Sequence, residues 1–210
     1  MARRKKEPRS AHRAHIAEAA RKLFTKKGIE RVSMDDIAKE AGYSKATLYV
    51  YFKNREEILG VLVLNSMKQL YESLSTALDQ NKNTYDRYLA ICLSLFDYEQ
   101  EYPLYFQLAL SRINIDFTSP DYLPEEKETF DVGEAINQKL RQFLEDGIAA
   151  NELRPDLSIG PTIFSFWGML SGLLHTASQK EAYISQELSM NRQEFFDYGV
   201  KLLYRSILTL

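Results

Sequence analysis

Residues 33–55 read SMDDIAKEAGYSKATLYVYFKNR, and this stretch decides the fold. Ser33 followed by Asp36 has the spacing of a capping box, with Asp in the place of Glu or Gln. The pattern predicts a helix that carries Met34, Ile37, Ala38 and Ala41 inward and stops at Gly42. Only Gly42 and Tyr43 separate it from Ser44, the next N-cap candidate. Ser44 opens a second short helix, Lys45 to Phe52, with Leu48 and Phe52 inward. Two small helices joined by a short turn containing glycine form a helix-turn-helix.

Upstream, Ile16, Ala19, Ala20, Leu23 and Phe24 recur at helical spacing, and Gly28 closes that helix as its C′ residue. Residues 1–9, MARRKKEPR, read as a disordered basic arm. Downstream, an apolar pattern runs from Arg55 through Ile58, Leu62, Met67, Leu70 and Leu74 to Leu78 without a breaker. That is ~24 residues, or ~36 Å of helix. Further helices are expected over Thr84–Glu101, from Pro103, over Glu125–Ala150, from Ser158 and Pro161 to about Lys180, and over Arg192–Leu210. Asn114–Pro124 reads as a loop, and Asn151, tolerated in the left-handed conformation, ends the long helix before it. The fold class is all-α. The expected organisation is the arm (1–9), a helix-turn-helix DNA-binding domain (10–54) and a larger helical body (55–210).

The chain has 210 residues, 45% hydrophobic and 27% charged, enough for a sizeable core and incompatible with disorder throughout. A single cysteine, Cys92, excludes a disulfide framework and multi-cysteine metal sites, and suits a reducing cytoplasm. The most apolar stretch, Ile163–Ala177, is interrupted by Ser165, Ser171 and His175 and is shorter than the ~20 residues of a membrane span. The basic N-terminus lacks the apolar core of a signal peptide, so a cytoplasmic location without membrane association is expected. The net charge of −2 hides an asymmetry: residues 1–55 hold 15 basic and 6 acidic residues, a net of +9, and the remainder nets −11. A basic head on an acidic body suggests a polyanionic partner for the head, against the plainer reading of a solvated tail.

The stretches AARKLFTKKG (19–28), IAKEAG (37–42) and SKATLYVYFKNREEIL (44–59) resemble the DNA-binding head of the TetR/AcrR family of bacterial transcription regulators. The last is the most specific of the three. NELRPDLS (151–158) also looks like that family's turn between its seventh and eighth helices, with Asn151 where glycine is common. The resemblance implies that Lys45, Thr47 and Tyr49 face double-stranded DNA from the recognition helix. Lys45 would donate to guanine, and Thr47 would meet a thymine methyl or a phosphate. Tyr49 and Tyr51 would donate to phosphates, Lys53 stands where the family has a phosphate-binding lysine, and Ser33 and Ser44 sit at helix N-termini that favour anions. For Tyr51 the competing reading is packing against the first helix; Ser44 is a cap before it is a DNA contact.

The body is rich in aromatic residues, which read either as helix core or as the lining of an apolar ligand cavity. The resemblance implies a cavity for a small, apolar or aromatic effector. Phe96, Tyr105, Phe143, Trp167 and His175 are its candidates, although a core role suits His175 alone better. Cys92 reads as plain packing. Gly168, Ser171 and Gly172 give one helix a small-residue face, and the last helix is apolar on two sides. Phe195, Tyr198 and Leu202 lie on one side of it. Together these suggest a homodimer, which matches a palindromic operator.

No P-loop, GxSxG, HExxH, CxxC or dinucleotide loop occurs, so an enzyme is not expected and neither a metal nor another cofactor is called for. The reading is a dimeric regulator, a repressor released from its operator by a small effector. The alternative is a nucleoid or division protein with the same head and a body that binds a protein.

Overall fold

A computed structural model of the chain describes residues 8–80, 82–111 and 122–209. Most of the basic arm and most of the loop expected over 114–124 fall outside these residues. Ten α-helices account for nearly all of the described chain: α1 (Arg9–Lys27), α2 (Met34–Glu40), α3 (Lys45–Tyr51), α4 (Arg55–Gln80), α5 (Thr84–Glu101), α6 (Pro103–Ser111), α7 (Pro124–Ala149), α8 (Ile159–Gln179), α9 (Glu181–Leu188) and α10 (Arg192–Arg205). A 3-10 turn, Ile29–Arg31, joins α1 to α2. Among the described residues the only β pairing is one antiparallel bridge, Leu153 with Leu208. None of the described helices is long and apolar enough to cross a membrane.

The chain divides into two compact units: Met1–Met67 with Leu104–Phe130, and Lys68–Pro103 with Asp131–Leu210. Helices α4 and α7 run through both. In the first unit, Ile16, Ala20 and Phe24 of α1 meet Ile37 of α2, Leu48 of α3, Phe52, and Ile58 and Leu62 of α4. Leu108 of α6 is fully buried in the same cluster. Seven-residue helices such as α2 and α3 are not stable alone, so this shared core holds them in place. Each fully buried Leu, Ile or Phe contributes ~1.5–3 kcal/mol relative to exposure.

The turns follow from the residues at them. Gly28 (φ +82°) and Gly42 (φ +71°) adopt left-handed backbone that a Cβ would disfavour. Asn151 (φ +58°) ends α7 in the same region. There the N–H groups of Glu152 and Leu153 both donate to Gly147 O at 3.0 Å.

Two expectations need correction, and one helix is additional to those expected. Arg9, assigned to the arm, is the first residue of α1, directly after extended Pro8. Residues 181–188 form a separate helix, α9, because Lys180 leaves helical geometry between α8 and α9. The last helix stops at Arg205, since the following residues return to pair with the α7–α8 turn: Arg154 N–H donates to Ile207 O (3.0 Å) and Thr209 N–H to Glu152 O (3.3 Å).

The second unit packs α5, α7, α8 and α10 through Ile91, Cys92 and Leu95, Phe143 and Leu144, Leu170 and Leu174, and Phe196, Val200 and Tyr204. Cys92 is fully buried, and burial pushes its thiol up to about 12. The thiolate that redox chemistry needs is therefore absent near neutral pH, consistent with packing.

Candidate nucleic-acid interface

The recognition helix α3 is held at both ends. Ser44 caps its start by accepting from Thr47 N–H (3.1 Å), and the two hydroxyls are also hydrogen-bonded (2.8 Å). At its other end two carbonyls lack helical partners, as at any helix C-terminus. Arginines of α1 supply them: Arg9 donates to Val50 O (2.8 Å) and Arg13 to Tyr51 O (2.7 Å). A cation there also complements the helix dipole. Arg13 lies over the Phe52 ring (4.1 Å to its centroid) and is paired with Glu125 at the start of α7. Neither arginine stands out in the sequence; their i, i+4 spacing on one helix face is the available signal.

The α2–α3 turn is clamped by α1 as well. His12 Nδ1 meets the Tyr43 hydroxyl (2.6 Å), and His15 Nε2 meets Ala41 O (3.0 Å). Tyr51 stacks near His12, with ring centroids 5.1 Å apart, so its ring packs on the first helix.

The outward face of α3 presents Ser44, Lys45, Ala46, Tyr49 (45% exposed) and Val50 (62% exposed), while Leu48 and Phe52 point into the core. Lys45 Nζ pairs with Asp35 of α2 at 2.8 Å, and that hydrogen bond pushes the ammonium's pKa up, so it stays charged. Lys53 projects to solvent just beyond α3, with its backbone N–H donating to Glu57 (2.8 Å). Ser33 forms the capping box that its spacing to Asp36 predicts. Its hydroxyl accepts from Asp36 N–H (3.2 Å), while that hydroxyl (2.5 Å) and the Ser33 N–H (3.0 Å) donate to the Asp36 carboxylate and hold it below the usual range. Two carboxylates, Asp35 and Asp36, fill the first turn of α2, where a phosphate would otherwise be favoured. Arg55 donates to Ile29 O (3.1 Å) and pairs with Glu30 (3.4 Å).

We expect Arg13→Ala to cost ~1–3 kcal/mol of stability, since it orphans Tyr51 O and Glu125 together. Ser44→Ala should cost ~1 kcal/mol through the lost cap. Thermal or urea unfolding measures both, and an unchanged Arg13→Ala transition would refute the bracing role of this arginine.

In the second unit a small apolar cavity of about 50 Å³ lies among α5, α7 and α8, lined by Tyr88, Ile91, Phe143, Phe166, Trp167 and Leu170 among others. Phe143 and Trp167 of the expected set meet there; the other three do not. Phe96 points one helical step away from the cavity-lining Leu95 and packs on Phe196 (4.8 Å between centroids), under Arg192. His175, two turns from Gly168, lies on the exposed face of α8. Tyr105 belongs to α6 and packs on the core of the first unit. The Tyr88 hydroxyl is already used, donating to Val200 O (2.9 Å). Among the described residues no three His, Cys, Asp or Glu side chains are grouped to hold a metal ion.

On α8, Gly168 and Gly172 face open space, along a row with exposed Phe164 (68%). Tyr198 and Leu202 of α10 are more than half exposed, and Phe195 and Ser171 are partly so.

A three-helix head with a capped, cation-bearing second helix of a helix-turn-helix defines a DNA-binding protein of the helix-turn-helix class. Residues 16–62, which make up most of this head, match the model of the bacterial regulatory proteins of the tetR family. It is 23% identical over 140 residues to the uncharacterized HTH-type transcriptional regulator YhgD of Bacillus subtilis, covering 67% of this chain and 71% of that one. It is 38% identical over 77 residues to the HTH-type transcriptional regulator TtgR of Pseudomonas putida. That alignment spans 37% of this chain and only 36% of TtgR, so the likeness is one of heads. The fold matches the transcriptional regulator FadR of Bacillus subtilis, solved in complex with stearoyl-CoA, at a TM-score of 0.68 and 18% identity, over 92% of this chain and 98% of that one. These relatives are transcriptional regulators, not enzymes.

Proposed function

We propose that the chain is a homodimeric repressor that binds a palindromic operator through Lys45, Tyr49 and Lys53 and is released by a small apolar effector. The observation that carries this reading is the outward face of α3: its ends are braced, its N-terminal turn is capped, and its exposed side chains are a cation, a phenol and two apolar groups. Ser33, Ser44, Thr47 and Tyr51 serve chiefly to position that face, since their polar groups or rings already engage the protein. The open α8 and α10 faces support pairing of two copies, so that two heads read two half-sites. A bound dimer excludes other proteins from the same DNA, which is repression.

The cavity supports an uncharged, apolar effector, because its walls hold no charged side chain. At about 50 Å³ it is well below the ~300–1,000 Å³ of an occupied ligand site, so binding requires Phe143, Phe166 or Trp167 to move aside. The small volume also favours the second reading, a body that binds a protein. Selection from random DNA followed by a screen of apolar compounds separates the two. A true effector raises the melting temperature by mass action, changes the fluorescence of Trp167, the chain's single tryptophan, and lowers operator affinity. Phe143→Ala should blunt that response and leave DNA binding without effector intact. An effector that releases DNA with no change in Trp167 emission would place the site elsewhere.

A further inference from the structure

Val50 is the most exposed large apolar side chain of the described head, at 62%. It does nothing for the fold. Its side chain lies outside the core cluster, and valine is a poor helix former, worse than alanine by several tenths of a kcal/mol, in a helix of only seven residues. At 100° per residue, Val50 lies one turn beyond Ala46 and beside Tyr49, on the face opposite buried Leu48 and Phe52. A β-branched side chain in a helix is confined to essentially one rotamer, so its methyl groups are held in a fixed direction.

We infer that Val50 is a specificity-determining residue that reads a thymine through its 5-methyl group. The inference rests on the DNA-binding reading above and deepens it. In the major groove the thymine methyl is the one apolar feature of the base edges, and an apolar side chain is its natural complement. Charge selects DNA over an apolar protein as the partner. Arg9 is bonded to the Val50 carbonyl itself, Lys45 and Lys53 lie nearby on the same short segment, and residues 1–55 carry a net +9. Thr47, the residue expected to meet a thymine methyl, is only partly exposed and its hydroxyl is tied to Ser44. Of the two apolar side chains on that face, Ala46 and Val50, valine is the larger and reaches farther, so the apolar contact falls to Val50.

The test uses the full chain and a DNA sequence it selects from a random pool. Each thymine of the selected site is replaced singly by uracil, which lacks only the methyl group. One position per half-site should then lose about fourfold in affinity for the wild type, and replacement in both half-sites on the order of fifteenfold. Val50→Ala should bind the uracil and thymine sites equally at that position while keeping the penalty of an unrelated base change elsewhere. Val50 is exposed and alanine is the better helix former, so the variant should melt at or slightly above the wild-type temperature. If uracil is silent everywhere, or if its penalty survives in Val50→Ala, the inference fails while the regulator reading stands. If no sequence is selected at all, both fail.

Discussion

Operator affinity is expected to fall about 10³-fold or more between ~50 and ~200 mM salt if the dimer neutralises ~6 phosphates. The cause is release of counterions condensed on DNA when Lys and Arg replace them, and the head's net charge of +9 supplies the cations despite a chain that nets −2. The variants should separate by role. Lys53→Ala should weaken binding about equally on all sequences and reduce the slope of log affinity against log salt by about 1 per protomer. Tyr49→Phe should weaken binding uniformly as well, through a lost phosphate hydrogen bond. Lys45→Ala should instead relax preference at a base pair. It would also free Asp35, whose carboxylate now lies 2.8 Å from the ammonium and would then face the phosphates unpaired. Titrations at three salt concentrations measure all of this, and a flat salt response would sink the interface assignment.

The second large effect separates two glycines. At Gly199 of α10 an added Cβ would lie 2.6 Å from Cδ2 and 3.2 Å from Cγ of Leu173, so α8 and α10 cross closely there within one protomer. At Gly172 an added Cβ would meet nothing within 4 Å. Gly199→Leu should therefore cost ~3 kcal/mol in overpacking, offset by ~1 kcal/mol of helix propensity. The net of ~2 kcal/mol lowers the melting temperature by about 4–8 °C for a chain of this size. Gly172→Leu should leave the protomer as stable as before or slightly more so. It should nevertheless weaken the dimer by about 10²-fold or more, since both copies carry the obstruction into the shared face. Sedimentation against concentration, with thermal melts alongside, distinguishes the two. A Gly172→Leu protein that remains a full dimer would remove the α8 face from the interface.

The helix-turn-helix is legible in the residues themselves because its signals are local. The Ser33–Asp36 capping box and the Ser44 cap bond within one turn, and Gly28, Gly42 and Asn151 stand where the backbone turns left-handed. Helical periodicity likewise places α5 at its observed bounds, Thr84–Glu101. What periodicity lacks is an absolute direction: it says that Phe96, Tyr105, Phe143 and Trp167 lie on apolar faces, not which neighbour each face meets. Two of the four line the cavity, one packs on Phe196 and one joins the core of the other unit, because a 100° step along a helix changes the neighbour entirely.

Contacts between residues far apart in the chain come from the packing of whole helices. Arg9 and Arg13 brace a helix end some forty residues on, and Glu125, more than a hundred residues away, holds Arg13 in place. Leu208 turns back to Leu153 and shortens the final helix, although the pattern of that helix runs on. Gly199 and Gly172 look alike in the sequence, each a glycine inside a helix, yet one is filled by Leu173 and the other is open. Caps, turns and helix phase are set by residues within about one turn of each other, so the order of amino acids is enough to specify them here. Which side chain fills a given space depends on how separate helices meet, and in this protein that packing leaves Val50 exposed and Thr47 only partly so.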